Sequence, residues 1–463
     1  MRIRPTITSQ RPGTRPRYRS ASAALAALGL VVTAAACSSS TNGNGASGGK
    51  VTISIWNDPL ASGSCGVPAS KSFLTKGVAL FEKTKPGFNV KIVQEACDAS
   101  TAFNTLLKSS EVAGTTPDIG QLYVGGQVIE NGKYLVPLNN QLGTSYINSL
   151  TGWKFVTNGY GTTPNGSIYG VPFGAGYWYM VYYNKKLMAK AHITNPDPAN
   201  WNQLLALGKK VKAAGVTPFD IGEKEGYMGA WTQDALISGE VGDAGVLSAY
   251  SGKASLNSSL LTKPYMAWHE LYADGLTNSN AVSLSYATAI ADFAAGQAAM
   301  TITGGFYDNQ FTKGLGNNVS MFPVPVLPGA ADPHSLSGGP NNSYVVFKTS
   351  THVADDVKLI KFLTTLPVQE LSVNELGQLP NNVSFSPSPA FQKSQPLLTT
   401  IYQYLLVKHY TPNEAFDNIM PGSICSYWYQ TNNGVFGGTL SPSSAASSMQ
   451  SQMTSYLASA SAG

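Results

Sequence analysis

Between residues 51 and 124, strand-like segments alternate with helix-like ones, and this alternation restricts the fold more than any other feature. VTISIW at 51–56 alternates apolar and polar residues as a half-buried strand does, and NVKIV and TTPDIGQLYV supply two further strands. Residues 70–87 and 101–114, which lie between them, carry apolar side chains at helical spacing. Strands separated by single helices form a largely parallel sheet. The sequence therefore predicts an α/β lobe.

The rest of the chain supplies a second set of elements. Residues 169–183, YGVPFGAGYWYMVYY, are apolar and aromatic and predict a buried strand pair or a segment that crosses between lobes. The run at 321–342 is rich in Pro and Gly and has the composition of a connection between two bodies. A chain of this length exceeds one compact core and favours two lobes. Further helices are predicted at 201–215, 231–238, 264–274, 285–298 and 441–457.

The first residues have the pattern of an export signal. Six arginines and no acidic residue precede position 20, and the apolar run 21–36 is short for a membrane span, which needs about 20 apolar residues. Ala34-Ala35-Ala36-Cys37 resembles the bacterial lipobox, whose cysteine takes a diacylglyceryl group. We therefore predict a lipoprotein signal peptide at 1–36, lipidation of Cys37 and a flexible tether at 37–49. The alternative is an ordinary cleaved signal followed by an incidental cysteine.

Removal of this segment changes the charge balance. The chain has 30 Lys and Arg against 25 Asp and Glu, but no arginine follows Arg19, so the remainder is close to neutral. We expect no nucleic-acid partner, because phosphate binding needs a concentrated cationic surface. Arginine is also the usual bidentate partner of carboxylates and phosphates. Its absence after Arg19 favours a neutral ligand.

Three cysteines follow Cys37. In an oxidising compartment, Cys65 and Cys97 would close a moderate loop as a disulfide, which would leave Cys425 free. No two of these cysteines have CxxC spacing and the five histidines are scattered, so the sequence predicts no metal site. No GxxxxGK[ST] phosphate loop occurs, and we expect no cofactor.

Seven segments, in order, resemble the extracellular solute-binding proteins of ABC importers, in particular the sugar-binding family 1 type to which maltose-binding proteins belong. The resemblance covers roughly residues 50–460. Its most specific segment has G-x-P followed by Y-Y-N-K-x-L and a short helix. The segments are ISIWND, TTPDI, NGKYLVPLN, YGVPFGAGYWYMVYYNKKLMAKAHI, WNQLLALGKKVKAAGVTPF, GQAAMTITGGFY and IMPGSICSYWYQ.

The resemblance implies an α/β clamshell of the two-lobed, type II periplasmic-binding-protein kind, with a mainly parallel sheet flanked by helices in each lobe and several hinge crossings. It places the first lobe at 50–173 and 326–382, and the second at 174–325 and 383–463. It also implies capture of a carbohydrate without catalysis and delivery to the permease subunits of an ABC transporter. The protein would be a monomer, exported and anchored by lipid to the outer face of the bacterial cell membrane.

Residue chemistry also favours carbohydrate, because aromatic rings cover the apolar faces of a sugar while Asp, Asn, Glu and Gln bind its hydroxyls. Tyr227 and Trp231 share one face if their segment is helical. Trp428 corresponds to a stacking position of the family, and only one of Tyr177 and Trp178 should face the cleft. The candidate ligand-binding residues are Trp56, Asn57, Asp58, Tyr123, Tyr177, Trp178, Glu225, Tyr227, Trp231, Phe306, Tyr307 and Trp428.

Other interpretations compete with this one. Trp56, Tyr123 and Trp231 are also ordinary core candidates, Asp58 before Pro59 fits an Asx turn, and Glu225 fits a solvated charge. A lipid-anchored glycosidase would need two carboxylates about 5–10 Å apart. A third hypothesis keeps the fold but changes the ligand to a polyamine or a peptide.

Overall fold

The computed structural model describes residues 49–57, 67–95, 100–157, 166–174, 176, 178–340 and 342–462. Residues 49–463 form one compact unit. The predicted signal peptide, Cys37 and all but the end of the tether lie outside the described residues. Asp58, Tyr177 and both cysteines of the predicted disulfide, Cys65 and Cys97, lie outside them as well.

Strands and helices alternate along the described chain. The strands are β1 Val51–Asn57, β2 Phe88–Gln94, β3 Ile119–Tyr123, β4 Gly170–Phe173, β5 Tyr179–Asn184, β6 Met300–Gly304, β7 Val319–Pro323, β8 Ser335–Ser337, β9 Asn342–Val346 and β10 Thr411–Asn413. The helices of the first half are α1 Phe73–Thr84, α2 Ser100–Ala113, α3 Gly126–Glu130, α4 Asn139–Leu142, α5 Thr144–Ile147, α6 Lys185–Lys190, α7 Trp201–Ala213 and α8 Tyr227–Tyr250. Those of the second half are α9 Ser259–Ala273, α10 Tyr286–Ala294, α11 Asp308–Leu315, α12 Val353–Leu363, α13 Leu366–Leu376, α14 Pro389–Ser394, α15 Pro396–Tyr402, α16 Phe416–Ile419, α17 Gly422–Phe436 and α18 Pro442–Ala462.

The first sheet has the strand order β2-β1-β3-β9-β4. Strand β1 runs parallel to β2 and β3, whereas β9 is antiparallel to both β3 and β4. The carboxyl ends of β1, β3 and β4 therefore share one edge, where β9 begins at Asn342. The alternation at 51–123 and the α/β class are confirmed.

The second sheet corrects part of the predicted fold. It has the order β6-β5-β7, and β5 is antiparallel to both neighbours, so this sheet is not mainly parallel. Isolated bridges place Phe219 parallel to Met300 and to Thr277. The hydrophobic pattern of a buried strand is the same in either direction, so the sequence carried no signal for the strand direction.

Side-chain caps fix the starts of several helices. Ser72 accepts the Thr75 amide at the start of α1, and Asn184 accepts the Lys186 amide at the start of α6. The apolar side of α1 is buried through Phe73, Leu74, Val78 and Phe81.

Two apolar clusters form the core of the compact unit. One is centred on the first sheet and continues into α17 and α18, and the other surrounds the second sheet. Within the described residues, no helix is both long and apolar enough to cross a membrane.

Candidate ligand-binding site

Six partly exposed aromatic side chains lie together beside the second sheet, and we call them the aromatic cluster: Tyr227, Trp231, Tyr286, Phe306, Tyr307 and Tyr429. Trp231 is its centre. Its ring centroid lies 5.2 Å from that of Phe306, 5.7 Å from that of Tyr286 and 6.4 Å from that of Tyr307. Tyr227 and Trp231, one turn apart on α8, stack at 6.3 Å with 19° between their planes. The six rings are in mutual contact, and each is partly exposed.

A buried carboxyl group fixes the start of α8. Glu223 is fully buried, and its two oxygens accept the Gly229 amide at 2.9 Å and the Trp268 indole N–H at 3.0 Å. Burial raises the pKa of Glu223 to about 8. The first turn of α8, which begins at Tyr227 and precedes Trp231, is thereby attached to the α9 residue Trp268.

Gly226 permits a close approach between α8 and α17. It has φ 78°, and a Cβ atom at this position would lie 1.8 Å from the Tyr429 carbonyl oxygen. Only glycine combines this backbone conformation with such a contact. The approach brings the ring of Tyr429 to 5.0 Å from that of Tyr227, at 78°.

Trp428 does not join the exposed part of this cluster. Its side chain is fully buried, packs edge-on against Phe416 at 4.7 Å and donates its indole N–H to Gln233 Oε1 at 3.2 Å. Gln233 in turn donates to Asn432 Oδ1 at 2.9 Å. Trp428, which was expected to stack on a ligand, presents no surface in this conformation, whereas its neighbour Tyr429 is partly exposed.

Glu225 lies beside the cluster and has a structural partner. Its carboxylate accepts the backbone amide of Tyr286 at 3.0 Å, at the start of α10, where a negative charge is favourable. This bond holds Tyr286 near Tyr227, and their ring centroids are 5.5 Å apart. Glu225 remains partly exposed.

The remaining rings follow strand β6. After Gly304 and Gly305 the chain turns through Phe306 and Tyr307 into α11. Asp308, the first residue of that helix, accepts the buried Tyr182 hydroxyl at 2.5 Å, and burial raises its pKa to about 7.

Four predicted residues are not members of the aromatic cluster. Trp56 is a core residue, 5% exposed and T-shaped against Phe347. Asn57 is buried and donates to Gln94 Oε1 at 2.7 Å. Trp178 is buried, and Tyr123 is partly exposed at the carboxyl end of β3.

Three residues that were not predicted lie either in the aromatic cluster or beside Tyr123 in the first sheet. Tyr286 and Tyr429 complete the aromatic cluster. Asn342 pairs with Tyr123 in the first sheet and is fully buried, yet neither atom of its side-chain amide meets a hydrogen-bond partner in the described structure. The one sequence feature that could have indicated Tyr286 is the Ser285 cap, because it places the Tyr286 ring at the start of a helix.

No lysine ammonium group of the described residues lies over a ring of the aromatic cluster. Lysine ammonium groups lie over four aromatic rings elsewhere in the described chain, at Tyr134, Tyr146, Phe155 and Tyr404, and over none of the cluster. The described residues also hold no group of three or more His, Cys, Asp or Glu arranged to bind a metal ion.

Sequence comparison decides the family. Residues 67–370 match the family described as bacterial extracellular solute-binding protein. The chain belongs to this family. A binding protein of Brucella abortus is 29% identical to this solute-binding protein over 228 residues, which are 47% of this chain and 52% of the relative. The match therefore spans about half the length of that curated relative.

Two further comparisons concern sugar-binding proteins. The multiple sugar-binding protein of Streptococcus mutans is 25% identical over 305 residues, 63% of this solute-binding protein and 68% of the relative. A solved chitin oligosaccharide binding protein superposes with a TM-score of 0.74 at 22% identity, over 88% of this chain and 99% of that one. The fold is thus the two-lobed type II clamshell expected from the resemblance.

Proposed function

We propose that this solute-binding protein captures a neutral mono- or oligosaccharide in the cleft between its lobes. The partly exposed aromatic cluster around Trp231 carries this proposal, because flat apolar ring faces match the C–H faces of a sugar. The absence of arginine after Arg19 supports an uncharged ligand. The sugar-binding relative in Streptococcus mutans supports the same ligand class.

In this proposal the protein carries its ligand without cleaving it and delivers it to an ABC permease, after export and attachment to the cell membrane through Cys37. Lobe 1 comprises β1–β4 with β9, and lobe 2 comprises β5–β7. Strand β8 pairs with β10 and not with the first sheet, so we place the second crossing at 338–342 and not at 326. The other boundaries stay at 173–174 and 382–383.

Thermal unfolding of residues 49–463 with maltotriose, xylotriose or chitotriose tests the proposal. A bound sugar at 100 times its Kd should stabilise the protein by about 2.7 kcal/mol and raise its Tm. W231A should abolish this rise. Y402A, which removes a partly buried ring beside Phe385, is the matched control and should retain it.

Two results would overturn the proposal. One is the absence of any sugar-dependent rise in Tm across a broad panel of neutral sugars. The other is the release of new reducing ends from a labelled oligosaccharide, which would identify a glycosidase.

A further inference from the structure

Asp417 on the short helix α16 contacts Asp234 on α8, and both residues have carboxyl side chains. The Asp417 amide, in the first turn of α16, donates to Asp234 Oδ1 at 3.3 Å. Asp234 is fully buried, and this amide contact places it beside Asp417. We call these two residues the acid pair.

One oxygen of each carboxyl group in the acid pair lacks a donor within the described residues. Asp234 Oδ2 and Asp417 Oδ1 are buried, and neither has a hydrogen-bond partner in the described part of the chain. Ionised carboxylates only accept hydrogen bonds, so two of them cannot satisfy each other. A single proton between them supplies the missing donor and removes one of two adjacent buried charges.

The surroundings of the pair are acidic. Glu414 is fully buried next to it, and Asp243, further along α8, is neutralised by Lys154 at 3.0 Å. Burial and the charge of Asp417 raise the pKa of Asp234, and burial raises the pKa of Asp417. The titratable or charged groups around the pair are Glu130, Lys154, Asp243, Glu414, Cys425 and Tyr429.

The acid pair is connected to the aromatic cluster by the hydroxyl group of Tyr429. Tyr429 donates to Asp417 Oδ2 at 3.3 Å, and its ring contacts that of Tyr227. Burial and Asp417 raise the pKa of Tyr429, so this hydroxyl stays protonated and remains a donor. The position of the Tyr429 ring thus depends on the position of the Asp417 carboxyl group.

We propose that Asp417 is a positioning residue for the aromatic cluster, and that a proton shared between Asp417 and Asp234 makes sugar binding stronger at acidic than at alkaline pH. This proposal rests on the proposed function. When the proton leaves to solvent, the two carboxylates repel each other and Asp417 moves, which displaces the Tyr429 hydroxyl that donates to it. Tyr227 then loses the edge contact that holds its ring.

The test measures Kd between pH 6 and 8.5 with whichever of maltotriose, xylotriose and chitotriose raises the Tm. Wild-type Kd should weaken by about tenfold over this range, the factor that one unit of pKa difference corresponds to. D417N supplies a permanent donor and should bind equally at both pH values. D234N serves the same purpose if D417N does not fold. D220N is the control. Asp220 is a buried acid whose backbone amide donates to the Met300 carbonyl, and this variant should keep the wild-type dependence of Kd on pH.

Y429F removes the hydroxyl group that connects the acid pair to the aromatic cluster. It should lose the dependence of Kd on pH, while its Tm should keep the wild-type dependence, because the acid pair itself is intact. An unchanged slope of Kd in D417N and D234N would overturn the proposal. If no sugar binds at any pH, the proposed function fails. In that case the tryptophan emission of the unliganded protein tests the acid pair. The emission should shift with pH in wild type and not in D417N. An identical shift in both proteins would show that the acid pair does not position the aromatic cluster.

Discussion

The Trp268 indole N–H donates to Glu223 Oε1 across 3.0 Å, and both side chains are fully buried. The other oxygen of the same carboxyl group accepts the Gly229 amide in the first turn of α8. One buried acid thus connects α9 to the first turn of α8, which begins at Tyr227 and precedes Trp231. The position of the aromatic cluster thus depends on a carboxyl group that is itself fully buried.

E223A should therefore weaken both the fold and ligand binding. It leaves two buried donors without an acceptor, at a cost of about 1–3 kcal/mol each, so Tm should fall and sugar Kd should rise. Urea unfolding and calorimetry measure the two effects. E370A, which removes an exposed glutamate on α13, should change neither. Equal behaviour of the two variants would contradict this role of Glu223.

Two glycines with positive φ distinguish the cost of backbone strain from the cost of steric overlap. Gly215 has φ 72° and open space where a Cβ atom would lie, whereas at Gly226, with φ 78°, a Cβ atom would lie 1.8 Å from the Tyr429 carbonyl oxygen. G215A should cost about 1–2 kcal/mol of unfolding free energy from the left-handed backbone alone. G226A should cost more than about 4 kcal/mol, because backbone must move as well. Similar losses in urea unfolding would refute the close approach of α8 and α17.

The sequence predicted the parts of the fold that depend on local pattern. The alternation at 51–123 needs only periodicity and length, so β1, α1, β2, α2 and β3 were predictable. Which face of α17 is buried depends on its neighbours, and a step of one residue turns a helix by about 100°. For this reason Trp428 was chosen where Tyr429 is exposed. The antiparallel second sheet and the pairing of Asn342 depend equally on contacts distant in sequence.

Stability should fall as the pH rises through neutrality. Burial raises the pKa of Asp308 to about 7, above its unfolded value, so the folded state holds this proton longer. The stabilisation is complete below the unfolded pKa and is lost as the pH passes about 7. Between pH 5 and 8 the loss should be about 2 kcal/mol by urea unfolding. D308N keeps an acceptor for Tyr182 and should show a shallower slope; an identical slope would remove Asp308 as a source.

Asn342 gives the sharpest distinction between a structural and a ligand-binding role. Its buried amide lacks partners in the described chain, whereas Asn381, also buried, donates to the Thr151 and Pro172 carbonyls at 2.9 and 3.1 Å. Removing an unsatisfied buried polar group is neutral or stabilising, but removing a satisfied one leaves its partners unmet. N342A should therefore leave the Tm of the unliganded protein unchanged or raised, while N381A should lower it.

Sugar binding should show the reverse order for these two asparagines. If the Asn342 amide both donates to and accepts from a ligand hydroxyl, N342A should weaken Kd by about tenfold, as expected for a hydrogen bond worth about 1–1.5 kcal/mol. N381A should leave Kd nearly unchanged at a temperature where it is folded. A lowered Tm with an unaltered Kd in N342A would make Asn342 a structural residue of β9, and would confine the ligand contacts of the described chain to the aromatic cluster.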